Sequence, residues 1–167
     1  MNKLKLPVLG LSLILLITSC KKSDTQNPDI LKNEVPASQA SEWKIVSNWI
    51  SAKGDEFTSY NSRIEDTTIT NAVAASGLVL AFTKNGNGVN ALPYEEKETN
   101  NYWHYQISKG AVIFSFDHFS GKESLTTTAI KYYVFSPEKL NDLEVKGHSK
   151  IELMKMSYEN VTAILSK

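Results

Sequence analysis

Three histidines are the side chains of this sequence best suited to acid–base chemistry: His104, His118 and His148. A serine hydrolase uses one imidazole as general base, hydrogen-bonded to a serine and oriented by a carboxylate. No Gly-x-Ser-x-Gly elbow, His-Glu-x-x-His run or Gly-Lys-Ser phosphate loop accompanies these histidines. We therefore predict no catalytic residue and interpret each histidine as an ordinary surface or half-buried side chain.

Asp117 and His118 bring a carboxylate next to an imidazole, as a metal-binding or catalytic pair would. Adjacent residues of a regular strand point to opposite faces of the sheet, so these two side chains are not expected to share a ligand. The run from Asn85 to Asn90 offers oxygen ligands at alternate positions but lacks the carboxylates of a calcium loop. We predict a hairpin turn there, no metal site and no cofactor.

Glu95, Glu96 and Glu98 form a local acidic patch interrupted by Lys97. A glycosidase needs two carboxylates about 5 to 9.5 Å apart, a distance that sequence alone does not provide. We interpret the patch as a solvated loop. A glycan-active hydrolase remains the alternative to a binding protein.

Cys20 is the only cysteine and ends an amino-terminal segment organised like an export signal. Lys3 and Lys5 give that segment a positive start, and residues 6–17 form its apolar core. The core is shorter than the roughly 20 apolar residues that a membrane-spanning helix needs, so we expect residues 1–19 to be removed.

The Thr18-Ser19-Cys20 ending resembles a lipobox. The resemblance implies cleavage before Cys20, acylation of its sulfur and its new amino group, and a mature protein anchored to a membrane. Two or three acyl chains hold a protein stably on a membrane where one does not. Because Lys21 rather than an aspartate follows, we expect the outer membrane, with the periplasmic and surface faces both open.

The charge balance argues against nucleic-acid binding. The whole chain has 18 basic and 18 acidic residues, and removal of the signal takes away two lysines and no acid, which leaves 16 minus 18, or −2. Nucleic-acid binding requires concentrated lysine and arginine, and no basic cluster is present. With Cys20 lipidated, no thiol is left for a disulfide or a zinc site.

Residues 20–41 are predicted to form a flexible tether, because they are polar, contain Pro28 and Pro36 and lack a sustained apolar period. A short helix or strand around residues 30–35 is the alternative. Residues 42–167 have the usual size of one domain.

Extended apolar segments predict an antiparallel β-sandwich, jelly-roll-like, for this domain. The segments are residues 43–49, 57–64, 77–83, 89–94, 102–107, 111–116 and 127–135. Residues 77–83 are apolar on both faces, as in a central strand covered on both sides. Turn residues at 85–88 and 109–110 predict two hairpins. Helix is expected only as a turn over residues 70–76 and a short carboxy-terminal helix, 158–165, behind a Ser157 cap.

The order of these segments resembles a group of uncharacterised bacterial envelope lipoproteins. It is also similar to the globular domain that follows collagen-like repeats in some bacterial surface proteins. The resemblance covers roughly residues 43–165 and rests on residues 77–82, the run 89–94, the Tyr102-Trp103 pair and the strand 130–134. It implies a β-sandwich and an envelope location and carries no catalytic residues. No Gly-X-Y run is present, so trimerisation is not implied.

Aromatic side chains are the remaining candidates for binding, and we predict Trp103, Tyr105, Tyr102 and His104 as ligand contacts. In a strand Trp103 and Tyr105 share one face, and Tyr102 and His104 share the other. An exposed ring stacks on a sugar or anchors a protein partner, while the competing interpretation is that the rings fill the core. The sequence thus predicts a lipid-anchored envelope protein that acts as a non-catalytic binding or structural module. Its expected partners are the membrane and a glycan or envelope protein, with a subunit of a larger surface assembly as a further alternative.

Overall fold

The computed structural model describes residues 38–85, 88–119, 125 and 127–166. Strands make up 46% of them and helices 22%, so the predicted mainly β class and β-sandwich are confirmed. The predicted signal, Cys20 and the tether up to residue 37 lie outside the described residues. None of the described helices is long and apolar enough to cross a membrane.

The described elements fall into two sheets and a set of short helices. In chain order they are β1 (Gln39–Ala40), β2 (Lys44–Val46), β3 (Ile50–Lys53), β4 (Thr58–Glu65), α1 (Asn71–Ser76), β5 (Leu78–Asn85), β6 (Gly88–Ala91), β7 (Tyr94–Glu96), β8 (Asn101–Ser108), β9 (Ala111–His118), β10 (Thr128–Phe135), α2 (Pro137–Val145), α3 (Lys150–Leu153) and α4 (Tyr158–Leu165).

Sheet 1 is built around β10, which pairs antiparallel with β5 on one side and with β1 and β2 on the other. Strand β6 continues the sheet beyond β5 through the predicted hairpin. Gln39 and Ala40, inside the predicted tether, already belong to this sheet through Val134 and Tyr133. Pairing in sheet 1 therefore begins before the domain boundary expected at residue 42.

Sheet 2 has the strand order β3-β4-β9-β8-β7. Strands β8 and β9 form the second predicted hairpin, and Gly110 at its turn has φ +78°, a left-handed conformation that glycine adopts without strain. The segment 43–49 does not form one strand: β2 joins sheet 1, whereas β3 starts at Ile50 and joins sheet 2. As a result, Ile45 is 70% exposed rather than aligned with the core residues.

The main core fills the space between the two sheets. Its members alternate along the strands, and their neighbours point away from it. They include Val79, Ala81, Ile130, Tyr132 and Val134 from sheet 1, and Trp103, Val112, Phe114 and Phe116 from sheet 2. Burial of a large apolar side chain contributes about 1.5–3 kcal/mol, so these contacts hold the sheets face to face.

A helical layer covers the outer face of sheet 1. Leu78, Leu80 and Phe82 of β5 and Tyr133 and Phe135 of β10 pack there against Leu140, Leu143, Leu153 and Val161 of α2, α3 and α4. Strand β5 is thus buried on both faces, as its apolar sequence predicts. The predicted helices at 70–76 and 158–165 are present, each capped by the side chain of Thr70 or Ser157.

Helices α2 and α3 are not among the helices that the sequence predicts. Their start signals are nevertheless present: Ser136 caps α2 with Pro137 at the first helical position, and Ser149 forms a capping box with Glu152 in α3. Both helices are short and owe their stability to the apolar side chains that they place on sheet 1.

Candidate functional site

Strand β8 carries all four predicted ligand-binding residues and divides them between its two faces. Trp103 and Tyr105 point into the core between the sheets. Tyr102 and His104 lie on the outer face of sheet 2 with their rings stacked on each other. The predicted alternation is therefore present, and the four residues do not form one surface.

The inward pair is held firmly by its neighbours. Trp103 is 5% exposed, lies parallel to Tyr94 and donates its Nε1 hydrogen to Glu96 Oε1 at 3.1 Å. The Tyr105 hydroxyl donates to the backbone carbonyl of Val79 in sheet 1. Burial raises the pKa of Tyr105 to about 12. The Tyr105 hydroxyl thus links the two sheets by a hydrogen bond, and the Trp103 ring packs mainly in the core.

The outward pair borders a shallow groove on the outer face of sheet 2, which we name the polar groove. Helices α2, α3 and α4 pack against sheet 1. On this face of sheet 2 Ser59, Asn61 and His104 are half-buried, whereas Ser115 is 4% exposed. The polar groove encloses about 460 Å³ and is lined by Ala52, Lys53, Gly54, Phe57, Ser59, Asn61, His104, Gln106, Ser115 and Asp117.

Strand register arranges side chains on this face of sheet 2 in two rows, and all of them except Tyr102 line the polar groove. Ser59, Asp117 and Tyr102 lie opposite one another on β4, β9 and β8. Asn61, Ser115 and His104 form the next row. Because neighbouring strands are about 4.8 Å apart, each row presents three hydrogen-bonding side chains across roughly 10 Å.

Hydrogen bonds between these side chains fix their orientation. Ser115 Oγ donates to Asn61 Oδ1 at 2.7 Å, and Asn61 Nδ2 donates to Ser59 Oγ at 3.2 Å. His104 Nε2 lies 3.1 Å from Asp117 Oδ2. The floor is therefore ordered before any ligand arrives, which lowers the entropy lost on binding.

Exposed aromatic rings stand at the borders of the polar groove. Tyr102 is 38% exposed, and its ring lies 5.2 Å from that of His104 at an angle of 22°. Phe57 and Phe119 are 38% and 43% exposed and have ring centroids 5.2 Å apart. These rings offer flat apolar faces beside the polar floor.

Comparison with known proteins gives no family for this chain. No family model, curated protein or solved structure matches it. The resemblance to envelope lipoproteins therefore stays a prediction.

The arrangement does not favour nucleophilic catalysis. Ser115, His104 and Asp117 share the polar groove, but the Ser115 hydroxyl donates to Asn61 and His104 Nε2 faces Asp117. A serine nucleophile needs its proton directed at the imidazole. Asp117 is also the only carboxylate among the described residues that line the groove, whereas a glycosidase needs two.

The other histidines lie away from this arrangement. His118 points inward, is 6% exposed and pairs through Nδ1 with Asn101 Oδ1 at 2.9 Å, so Asp117 and His118 occupy opposite faces as predicted. His148 follows α2, and its backbone N–H donates to Leu143. Within the described residues no group of three or more histidine, cysteine, aspartate or glutamate side chains could hold a metal ion.

Sequence reasoning missed Ser59, Asn61 and Ser115 on this surface and Glu96 elsewhere. The alternation of Ser59 and Asn61 with Tyr60 along β4 was the available signal, since polar residues on one face of a strand indicate exposure. Glu96 lies in β7, is half-buried and accepts hydrogen bonds from several side chains, so the prediction of a solvated loop is wrong for this residue.

Proposed function

We propose that this chain is a lipid-anchored cell-envelope protein whose β-sandwich binds a glycan in the polar groove without catalysis. The observation that supports the proposal is the partly exposed polar surface on the outer face of sheet 2. Two rows of ordered hydrogen-bonding side chains cross it, and exposed aromatic rings border it.

The side-chain chemistry favours a carbohydrate over an apolar peptide. Hydroxyl groups of a sugar both donate and accept hydrogen bonds, and the amide, hydroxyl, imidazole and carboxylate groups of the floor complement both roles. The C–H faces of a sugar pack against aromatic rings such as Tyr102 and Phe57. A protein-docking surface would instead concentrate buried apolar anchors at its centre.

The anchor is proposed from the sequence, because Cys20 follows a signal-like segment directly. In the mature protein, residues 20–38 would connect the lipid to β1, so the domain would reach ligands near the membrane. We propose the outer membrane as the location, because Lys21 rather than an aspartate follows Cys20.

The lipid proposal is tested by the intact mass of protein extracted from membranes. A mature chain that begins at Cys20 and carries the mass of two or three acyl chains supports it. Cys20→Ala is expected to abolish cleavage and membrane retention. A chain that begins at another, unmodified residue would refute the anchor.

Glycan binding is tested by affinity electrophoresis in gels that contain envelope or extracellular polysaccharides, followed by titration with the retained polymer. Asn61→Ala and Tyr102→Ala are each expected to weaken binding at least tenfold, which corresponds to about 1.4 kcal/mol. Asn141→Ala, an exposed amide on α2, is the matched control and should bind normally.

Circular dichroism of each variant separates loss of binding from loss of fold. If Asn61→Ala and Tyr102→Ala retain the fold and bind as tightly as the original chain, the polar groove is not the glycan site. If no polysaccharide retards the folded protein, the proposed ligand class is wrong.

A further inference from the structure

A second cleft lies between the inner faces of the two sheets, and we name it the end cleft. It encloses about 750 Å³ and shares none of its described lining residues with the polar groove. Its lining includes Thr83 and Lys84 from sheet 1. From sheet 2 it includes Tyr94, Glu96, Trp103 and Phe116. Its size is that of a small-molecule site, and its walls combine aromatic rings with a few polar groups.

Glu96 occupies one wall of the end cleft and is held by neutral donors. Its Oε1 accepts from Trp103 Nε1 at 3.1 Å and from the Tyr94 hydroxyl at 3.4 Å. Its Oε2 accepts from Asn101 Nδ2 and Thr99 Oγ1, each at 3.1 Å. Four hydrogen bonds from neutral groups fix the carboxylate in place, and none of these donors carries a positive charge.

No cationic side chain neutralises this carboxylate in the described part of the chain. The ion pairs found there involve Asp117, Asp142 and Glu65, and none includes Glu96. Lys84 lies on the wall of the cleft but is exposed to solvent and forms none of these pairs. Within the described residues, the end cleft therefore presents a half-buried carboxylate that has no cationic partner.

Two further features point to a ligand. Tyr94 and Trp103 have parallel rings with centroids 6.4 Å apart, and Phe116 lies 4.4 Å from Trp103. Aromatic faces attract cations, most strongly where water is excluded. Thr83 is 1% exposed, and its hydroxyl interacts with the nearby Tyr94 hydroxyl but makes no hydrogen bond of normal geometry within the described residues. A buried hydroxyl normally has a partner, and a ligand in this cleft would provide one.

From this arrangement we infer that the end cleft is a second binding site, selective for a small molecule that carries an ammonium group. The ammonium lies against the Glu96 carboxylate and the rings of Tyr94 and Trp103, and a polar group of the ligand bonds to Thr83. This site is independent of the polar groove and of the glycan that we propose there.

The test uses the full-length chain labelled with ¹⁵N-tryptophan, because its three tryptophans give three indole N–H signals. Trp103 Nε1 reports directly on Glu96, and Trp43 packs against Tyr158 on the helical layer and serves as the internal control. The probes are choline and its uncharged isostere 3,3-dimethylbutan-1-ol, which has the same shape without the positive charge.

Choline is expected to shift the Trp103 signal saturably and leave the Trp43 signal in place. The uncharged isostere should bind at least tenfold more weakly. Glu96→Gln should reduce choline binding to the level of the isostere. Glu95→Gln is the matched control, because Glu95 is the adjacent carboxylate and points to the other face of β7, so it should bind choline normally.

The inference fails if choline leaves the Trp103 signal unmoved, or if the uncharged isostere binds as tightly as choline. It also fails if Glu95→Gln and Glu96→Gln weaken choline binding equally. If circular dichroism and the Trp43 signal show that Glu96→Gln does not fold, the inference is still tested by comparing choline with its uncharged isostere on the original chain. Asn61→Ala in the polar groove should leave choline binding unchanged, so failure of one site is distinguishable from failure of the other.

Discussion

Removal of the Tyr132 hydroxyl is expected to cost about 1.5–3 kcal/mol of folding stability. The ring is 1% exposed, and the hydroxyl donates to Asp66 Oδ2 at 2.8 Å. Asp66 also accepts from the backbone N–H and the hydroxyl of Thr68 at 2.9 and 2.6 Å. Hydrogen bonds to a charged group contribute about 1.5–3 kcal/mol, and Tyr132→Phe removes this bond while the ring stays in place.

Urea and thermal unfolding measure this loss. In a domain of this size 1 kcal/mol corresponds to about 3–5 °C, so the midpoint of thermal unfolding should fall by about 5–15 °C. Tyr133→Phe is the matched control: the Tyr133 hydroxyl bonds to the neutral Thr162 hydroxyl at 2.9 Å, and its loss should cost about 0.5–1.5 kcal/mol. A double-mutant cycle with Asp66→Asn should give a coupling energy of about 1 kcal/mol or more.

The effect of Tyr132→Phe should also depend on pH. Burial acts to raise the pKa of Asp66, but hydrogen bonds from Thr68 and Tyr132 outweigh it and hold this pKa below its usual 3.8. A carboxyl group with a lowered native pKa stabilises the fold above its unfolded pKa and loses that contribution as the pH falls through the native pKa. The stability difference between the original chain and Tyr132→Phe should therefore narrow below about pH 4. A difference under about 0.5 kcal/mol at neutral pH, or one that stays constant on acidification, would refute the reasoning.

Four further substitutions test the packing and capping of α1 and α3. Gly77→Ala would place its Cβ 2.6 Å from the Phe135 carbonyl oxygen and 2.7 Å from Val73 Cα, so we expect a loss of about 1–3 kcal/mol by urea unfolding; an unchanged midpoint would contradict the close approach of these backbones. Leu153 is 1% exposed, so Leu153→Ala should lower the free energy of unfolding by about 2–5 kcal/mol, whereas Met154 is 59% exposed and Met154→Ala should change it by about 0.5 kcal/mol or less. Equal effects would show that α3 does not pack as described. Ser149→Ala removes the capping box of α3 and should cost about 0.5–2 kcal/mol, while a neutral result would mean that tertiary contacts alone fix this helix.

The sequence predicts most strands and both hairpins, because local patterns determine them. The predictions of one extended segment at residues 43–49 and one at 89–94 are wrong, because at each place the chain crosses from sheet 1 (β2 or β6) to sheet 2 (β3 or β7). The alternation along β8 places Tyr102 and Trp103 on opposite faces, and Gly88 and Gly110, which belong to the predicted turn segments, have positive φ. The buried run of β5 indicates a strand covered on both sides. Local patterns do not predict most of the helical layer, because α2 and α3 are too short to show a clear helical period.

The candidate sites depend on contacts between residues far apart in sequence. The Ser115–Asn61 hydrogen bond joins residues 54 positions apart, and strand register, which the sequence does not display, creates it. In the sequence Glu96 belongs to a charged run that predicts a loop. In the structure β7 pairs with β8, and the Glu96 side chain points inward toward Trp103. For the same reason, the sequence indicates that Trp103 is a candidate ligand contact but does not show whether its ring binds a ligand or packs in the core.

The central place of β10 in sheet 1 sets the order in which this protein can assemble as it is synthesised. All strands of sheet 2 have left the ribosome once His118 has, and they can pair without β10. Sheet 1 has only its β5–β6 hairpin at that time, since β1 and β2 have no partner until β10 emerges. The helices that cover Leu78, Leu80 and Phe82 come later still. Pairing of such distant segments is slow, so we expect sheet 1 to be completed after sheet 2.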